Sequence, residues 1–257
     1  MTRRIILILT TLLFVSCSPK DEKYTLRDFT QNCYEDVILP MHKKLSKESV
    51  EFTSKIKSLS LESSEKELIH IQKLWKNLHK TYTGSVIFNI DNIKDNYAHL
   101  YLQQFPCDTQ KVVKNINSDP SNTIVSSNAQ GLSTFEYLLF RKGALDSIQK
   151  NQKNIIFIHA LAKSFNTKVI ELEELWKSNA VKYKNNSGKA SKNTFNQLVN
   201  GIIQFSENLK MLKLGNPIGK QSFSKHNIHL SQAPFSNASL SGLEKDIETL
   251  QLLWSGN

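Results

Sequence analysis

Apolar residues recur three and four positions apart through most of this chain. Leu68, Ile71, Trp75, Leu78 and Tyr82 form one such series, and Ile155, Ile158, Ala162, Phe165, Val169, Leu172 and Trp176 form a longer one. Phe195, Leu198, Ile202, Phe205, Leu209 and Leu212 repeat the spacing, as do Leu240, Leu243, Ile247, Leu250 and Trp254. Each series draws an apolar stripe along one face of a helix, and that stripe must be buried against another helix. A less regular stripe runs earlier through Ile38, Met41, Leu45, Phe52, Ile56 and Leu59, where Pro40 is expected to kink the helix or mark its first turn. Trp75, Trp176 and Trp254 fall on these stripes and are expected in the core.

The punctuation between stripes agrees. Ser64 with Glu67, and Ser241 with Glu244, have the spacing of a capping box, in which side chain and backbone satisfy each other at a helix start. Gly215-Asn216-Pro217 reads as a stop after Leu214, since glycine accepts a left-handed cap and proline cannot continue the ladder. The polar stretch 184–192 joins two helices, and 219–237 reads as a long irregular loop, a kind that usually carries function or moves. No strand-type alternation competes. The expected fold class is all-α and bundle-like.

The first seventeen residues read as an address. Arg3 and Arg4 precede a mostly apolar run from Ile5 to Val15, shorter than the roughly 20 residues that span a bilayer and suited to a signal peptide. The run ends in Phe14-Val15-Ser16-Cys17, which looks like a bacterial lipobox, so Cys17 is the expected lipidation site; the alternative is an ordinary secretory signal with a coincidental cysteine. Several acyl chains, at about 0.8 kcal/mol per buried methylene, make a stable anchor. The expected organisation is a signal peptide over 1–17, a tether over 18–25 and a helical domain over 26–257. The expected location is the periplasmic face of the outer membrane, with the membrane itself as a partner through the anchor.

Charge then narrows the partners. The formal charge of +10 falls to +8 without Arg3 and Arg4, and almost all of it is lysine, because only Arg27 and Arg141 remain. Arginine is favoured for bidentate phosphate and base recognition, so this balance argues against nucleic acid. Beyond Cys17 the cysteines are Cys33 and Cys107. An oxidising periplasm would let them form a disulfide contributing about 2–4 kcal/mol, or they stand as separate buried thiols. Pairing depends on Cα proximity, which spacing does not give.

One segment carries more chemistry than the rest: Gly131-Leu132-Ser133-Thr134-Phe135-Glu136-Tyr137-Leu138-Leu139-Phe140. It resembles the signature of the imelysin-like family of bacterial envelope proteins, Gly-x-His-x-x-Glu followed by Tyr-Leu-Leu-Phe, with Ser133 in place of the histidine. Other segments follow in the family's order. Trp75, Tyr82 and Phe88 match its first helix, where His79 stands for an arginine and Val86 for a glutamate. Phe105-Pro106-Cys107-Asp108 resembles its Trp-Pro-x-Asp segment. Asn216-Pro217-Ile218-Gly219 resembles its late stop, and Phe235 to Leu240 its final helix start.

The resemblance implies an all-helical protein of two lobes, roughly 26–125 and 126–257, each related to a four-helix bundle. It places a cleft where the signature helix meets the helix of Trp75, His79 and Tyr82. Family members are linked to iron uptake, and the family was first described through a peptidase activity.

In this chain the site is altered. Positions 133 and 136 share a helix face, where a histidine and a glutamate could jointly hold zinc or iron. Serine is a poor ligand, which leaves Glu136 as the one metal-binding candidate of the signature. Three further residues invite a reading. His79 could offer an imidazole from another direction or simply stack in place. His226 and His229 form a loop pair without a partner at ligand spacing. Glu136 could equally be a structural carboxylate bonded to Ser133, Tyr82 or Trp75. No Gly-x-Ser-x-Gly, phosphate loop or Cys-x-x-Cys is present, and Ser133 has no adjacent base.

The leading expectation is a non-catalytic binding component linked to iron or other metal acquisition, meeting a metal-uptake protein or a metal-carrying ligand. Iron or zinc is allowed as a cofactor but not required. A divergent metallopeptidase is second, and a structural lipoprotein with a vestigial cleft is third.

Overall fold

The earliest apolar stripe becomes two helices in line, α1 (Leu26–Asn32) and α2 (Leu39–Ile56), joined by a π-helical turn at Cys33–Ile38. Pro40 sits in the first turn of α2, and the Leu39 N–H bonds back five residues to Tyr34. Proline can neither donate to the ladder nor avoid the carbonyl four residues earlier, and the wider π turn absorbs both demands. This is a computed structural model, which describes residues 24–122, 126–185, 187–221 and 225–255. The signal segment and Cys17 lie outside the described residues.

The chain then forms α3 (Glu65–Ser85), three short helices α4 (Asp91–Asp95), α5 (Ala98–Leu102) and α6 (Thr109–Ser118), and the signature helix α7 (Gly131–Phe140). α8 (Ala144–Lys150), the long α9 (Gln152–Ser178), α10 (Ala180–Lys184), α11 (Gly188–Asn208) and α12 (Ser239–Ser255) complete it, with a second π-helical turn at Leu209–Gly215. Among the described residues the regular structure is helical, with one isolated bridge between Gln103 and Gly131. No described helix is long and apolar enough to cross a membrane.

The long α9 lies along α2, α2 also packs on α3, and α12 rests on the outer side of α3. Segments on both sides of position 125 therefore share one core. Trp75, Phe52, Phe135, Phe165 and Trp176 are among its largest members, with Phe135 edge-on to both Phe52 and Phe165. The stripes on α3 and α9 are buried at every predicted position. Ser64 caps α3 as expected, with its hydroxyl accepting from the Glu67 N–H and the Glu67 carboxylate accepting from the Ser64 N–H. Ser64→Ala is therefore expected to cost about 1 kcal/mol, read as a lower midpoint in urea unfolding. An unchanged midpoint would mean that the box adds nothing beyond the packing of α3.

Four expectations need correction. Ser241 is not a cap: α12 begins at Ser239, and the Ser241 hydroxyl donates instead to the Ala238 carbonyl. The chain does turn after Leu214, but Gly215 is not left-handed; the glycine at positive φ is Gly219. The polar joint is shorter than 184–192, since α11 already starts at Gly188.

The fourth concerns α12, whose predicted stripe is split: Leu243 and Leu250 are half-buried, with Leu250 packed against the core, while the other three positions face outward. Leu240, Ile247 and Trp254 are exposed, Trp254 at 94%. The face turned to α3 carries Gly242, Asp246 and Thr249 instead. The reason is close approach. A Cβ at Gly84 of α3 would come within 2.9 Å of Thr249 Oγ1, so the two helices meet through small residues. Asp246 is drawn inward by Lys213, whose Nζ lies 2.7 Å from it with both side chains nearly sealed from water. A buried charge is tolerated only when paired in this way.

Candidate functional site

The signature helix starts at a glycine for a visible reason. Gly131 has φ of +71° and lies against the end of α5, where an added Cβ would fall 2.4 Å from the Leu102 carbonyl oxygen. Left-handed backbone at that distance admits no side chain. Two side chains of α3 then fasten the helix: Trp75 donates from Nε1 to the Leu132 carbonyl, and Gln72 donates to that of Leu139. Its direction, and so the aim of Ser133 and Glu136, is set by these contacts.

Glu136 is 1% exposed. Its Oε1 accepts from the backbone N–H of Ser236 at 2.8 Å and from the Ser236 hydroxyl at 2.7 Å. Burial raises the carboxyl to about 7, against the opposing pull of hydrogen bonds from Ser236 and the Phe235 backbone. None of Ser133, Tyr82 or Trp75 is the partner that sequence reasoning offered. The partner lies one hundred residues downstream, within the 235–240 segment that resembles the family's final helix start, and nothing in that resemblance ties Ser236 to Glu136.

Ser133 is also buried, and its hydroxyl has no hydrogen-bond partner. Both residues border a cavity of about 240 Å³ together with Cys107, His229 and the 230–235 segment. Cys107 Sγ lies 3.8 Å from Thr134 Oγ1, and burial pushes its thiol up to about 11. Cys33 is a free thiol too, buried among the first helices and pushed up to about 12 by desolvation. The two cysteines are thus separate thiols, and the disulfide left open by the sequence is not formed: one sits by the π turn after α1, the other beside the signature helix.

The three residues expected to line the cleft are placed differently. Trp75 and His79 are fully buried behind the signature helix, ring on ring at 4.8 Å, because the indole must reach the Leu132 carbonyl. Neither borders the Glu136 cavity. Tyr82 borders a second cavity, described below. Both ring nitrogens of His79 lack partners, and burial with the nearby Lys213 charge drops its pKa to about 3, so the ring is neutral. Of the loop pair, His229 reaches the cavity while remaining exposed, and His226 does not border it.

These residues do not fit a metal of the kind the signature implies. Serine replaces the imidazole, and Glu136 already spends an oxygen on two Ser236 donors. Among the described residues no group of three or more His, Cys, Asp or Glu side chains is placed to hold a metal ion. A zinc site needs three or four protein ligands. What the cavity offers chemically includes one carboxyl raised toward neutrality, the unpartnered Ser133 hydroxyl, one inert thiol, the exposed His229 imidazole and the Gln232 carboxamide.

Comparison with known proteins follows the same outline. Residues 38–257 match the family described as imelysin. No curated protein matches the chain. A crystal structure of an iron-regulated protein A precursor from Parabacteroides distasonis ATCC 8503 superposes with a TM-score of 0.75 at 13% identity, covering 88% of this chain and 72% of that one. A crystal structure of an imelysin-like protein from Psychrobacter arcticum 273-4 superposes with a TM-score of 0.66 at 18% identity, covering 90% and 77%. At these identities the likeness is one of fold.

Proposed function

The chain belongs to the imelysin family, and from that premise we propose that it is a lipid-anchored, non-catalytic binding component on the periplasmic face of the outer membrane, serving the acquisition of iron or another metal. The observation that carries the non-catalytic part is Ser133. At the position where the family's signature has histidine stands a buried, unpartnered hydroxyl, and the neighbouring Glu136 is bonded to Ser236 rather than held open. The lipobox ending at Cys17 supports the anchor and the location. Support for the link to metal is the name of one structural relative, an iron-regulated protein A precursor.

A divergent metallopeptidase has one observation in its favour. A carboxyl near 7 is suited to moving protons at neutral pH. That reading still needs a metal-binding or water-activating partner that Ser133 does not provide.

The test is metal content of the purified full chain after exposure to iron(II) or zinc, beside Ser133→His and Glu136→Ala. The native chain is expected to stay empty, and Ser133→His to gain metal. Stoichiometric native binding abolished by Glu136→Ala would overturn the altered-site reading, and peptide cleavage abolished by the same substitution would restore the peptidase. The metal link predicts that transcript levels rise when iron is withdrawn, and flat levels would remove it.

A further inference from the structure

On the other side of Gln232 from the Glu136 cavity lies a second one of about 270 Å³, walled by the end of α5, the end of α3 and the π-helical turn at Leu209–Gly215. Six carboxamides border it: Asn89, Gln103, Gln104, Asn208, Asn216 and Gln232. Gln103 and Gln232 form its buried floor, 6% and 4% exposed, and Gln232 Nε2 donates to Gln103 Oε1 at 3.0 Å. That bond leaves Gln103 Nε2 and Gln232 Oε1 without partners, one donor and one acceptor. Buried polar groups are nearly always satisfied, so an unsatisfied donor and acceptor on two residues that border a polar cavity point to something that completes them.

The lining also says what kind of group that is. Its one lysine, Lys213, is already neutralised by Asp246, and no carboxylate borders the cavity. His99 is driven toward its neutral form by burial and by Lys94. A charged ligand would find no free counter-charge. Carboxamides both donate and accept, which matches hydroxyl groups that do the same. Tyr82 and Phe105 add aromatic surface. The volume falls just below the range of roughly 300–1,000 Å³ for drug-sized ligands, which suits a single small ring. The π turn brings Leu212 and Lys213 to the wall, and such turns often mark functional positions in helices.

We infer that this cavity binds a small uncharged polyhydroxylated molecule of monosaccharide size. The site is independent of the altered signature, and its failure would leave the reading of Ser133 and Glu136 untouched.

Saturation-transfer NMR and calorimetry on the full chain test it, with glucose, N-acetylglucosamine and myo-inositol as probes and glucuronate as a charged counterpart. At least one neutral probe is expected to bind saturably, one per chain. Gln103→Leu removes a floor donor and is expected to weaken it by about tenfold or more. Leu212→Trp adds bulk at the cavity wall from a half-exposed position and is expected to abolish binding with an unchanged melting curve. The inference is overturned if none of the three neutral probes binds, which would leave the cavity to water alone. It is also overturned if glucuronate alone binds, or if binding survives Leu212→Trp.

Discussion

Gly131→Ala is expected to lower stability by about 3 kcal/mol or more, a large share of the roughly 5–15 kcal/mol that holds a typical domain together. Two costs combine. A left-handed backbone strains any residue with a Cβ by roughly 1–2 kcal/mol. The new methyl would also lie 2.4 Å from the Leu102 carbonyl oxygen and 2.7 Å from that of Tyr101, both main-chain atoms that cannot swing aside. Displacing packed structure typically costs a further 1–3 kcal/mol or so. Gly143→Ala is the control. Its φ is +75°, yet nothing lies within 4 Å of the position its Cβ would take, so only the strain should appear. Urea unfolding of both variants separates the two contributions. Equal losses would mean that α5 yields to the methyl, and that the glycine of the signature is there for backbone conformation alone.

Replacing Glu136 with glutamine should make the protein more stable above pH 7, by about 3 kcal/mol, and leave it unchanged near pH 4. The sign follows from linkage. The folded-state carboxyl is raised to about 7 from an ordinary 4.5, chiefly by burial. Below the unfolded value both states are protonated and burial costs nothing. As pH rises toward 7 the unfolded state ionises first, so stability is lost progressively across that window. A shift of this size, at about 1.4 kcal/mol per unit, sets the magnitude. Glutamine keeps an oxygen for the two Ser236 donors and never ionises. Unfolding curves of both proteins at pH 4, 6 and 8 give the difference directly, and subtraction cancels the other titrating groups, including Asp246. A glutamine variant less stable than the parent at pH 8 would show that Glu136 is held as an anion by Ser236. The cavity would then be a carboxylate site, with proton transfer near neutral pH removed from consideration.

Both expectations concern residues visible in the sequence, yet neither effect could be read there. The signature marks Gly131 and Glu136 as special, and spacing puts Ser133 and Glu136 on one helix face. The carbonyl of Leu102 and the hydroxyl of Ser236 come from segments about thirty and one hundred residues away. Periodicity reports a helix's own faces and is silent about which distant loop closes over them. His79 illustrates the same limit. Its place one turn after Trp75 was legible, while its burial against that indole, with both ring nitrogens unpartnered, depends on α12 lying over α3.

The final helix shows where pattern reading fails outright. Leu240, Leu243, Ile247, Leu250 and Trp254 make a regular stripe, and the protein turns three of the five to solvent. The face it buries carries Gly242, Asp246 and Thr249, chosen by two demands outside the helix: room for Gly84 of α3, and a counter-charge for Lys213. A second stripe of small and polar residues was present in the sequence, but apolar periodicity gives it no weight. The buried carboxamides Gln103 and Gln232 are equally silent, since each sits in a short irregular segment whose polarity reads as surface.

By itself, then, the sequence determined the helical class, the long buried stripes of α3 and α9, the cap at Ser64, the family and the loss of histidine at position 133. These are local facts, set by 3.6-residue periodicity and by the identity of single side chains. Tertiary structure alone decided that Glu136 is closed by Ser236, that Cys33 and Cys107 stay apart, that Trp254 faces water and that six carboxamides surround one cavity. Those outcomes depend on which segments meet in space. Burial acts on whatever groups meet there, raising a carboxyl, neutralising an imidazole or leaving an amide unpaired.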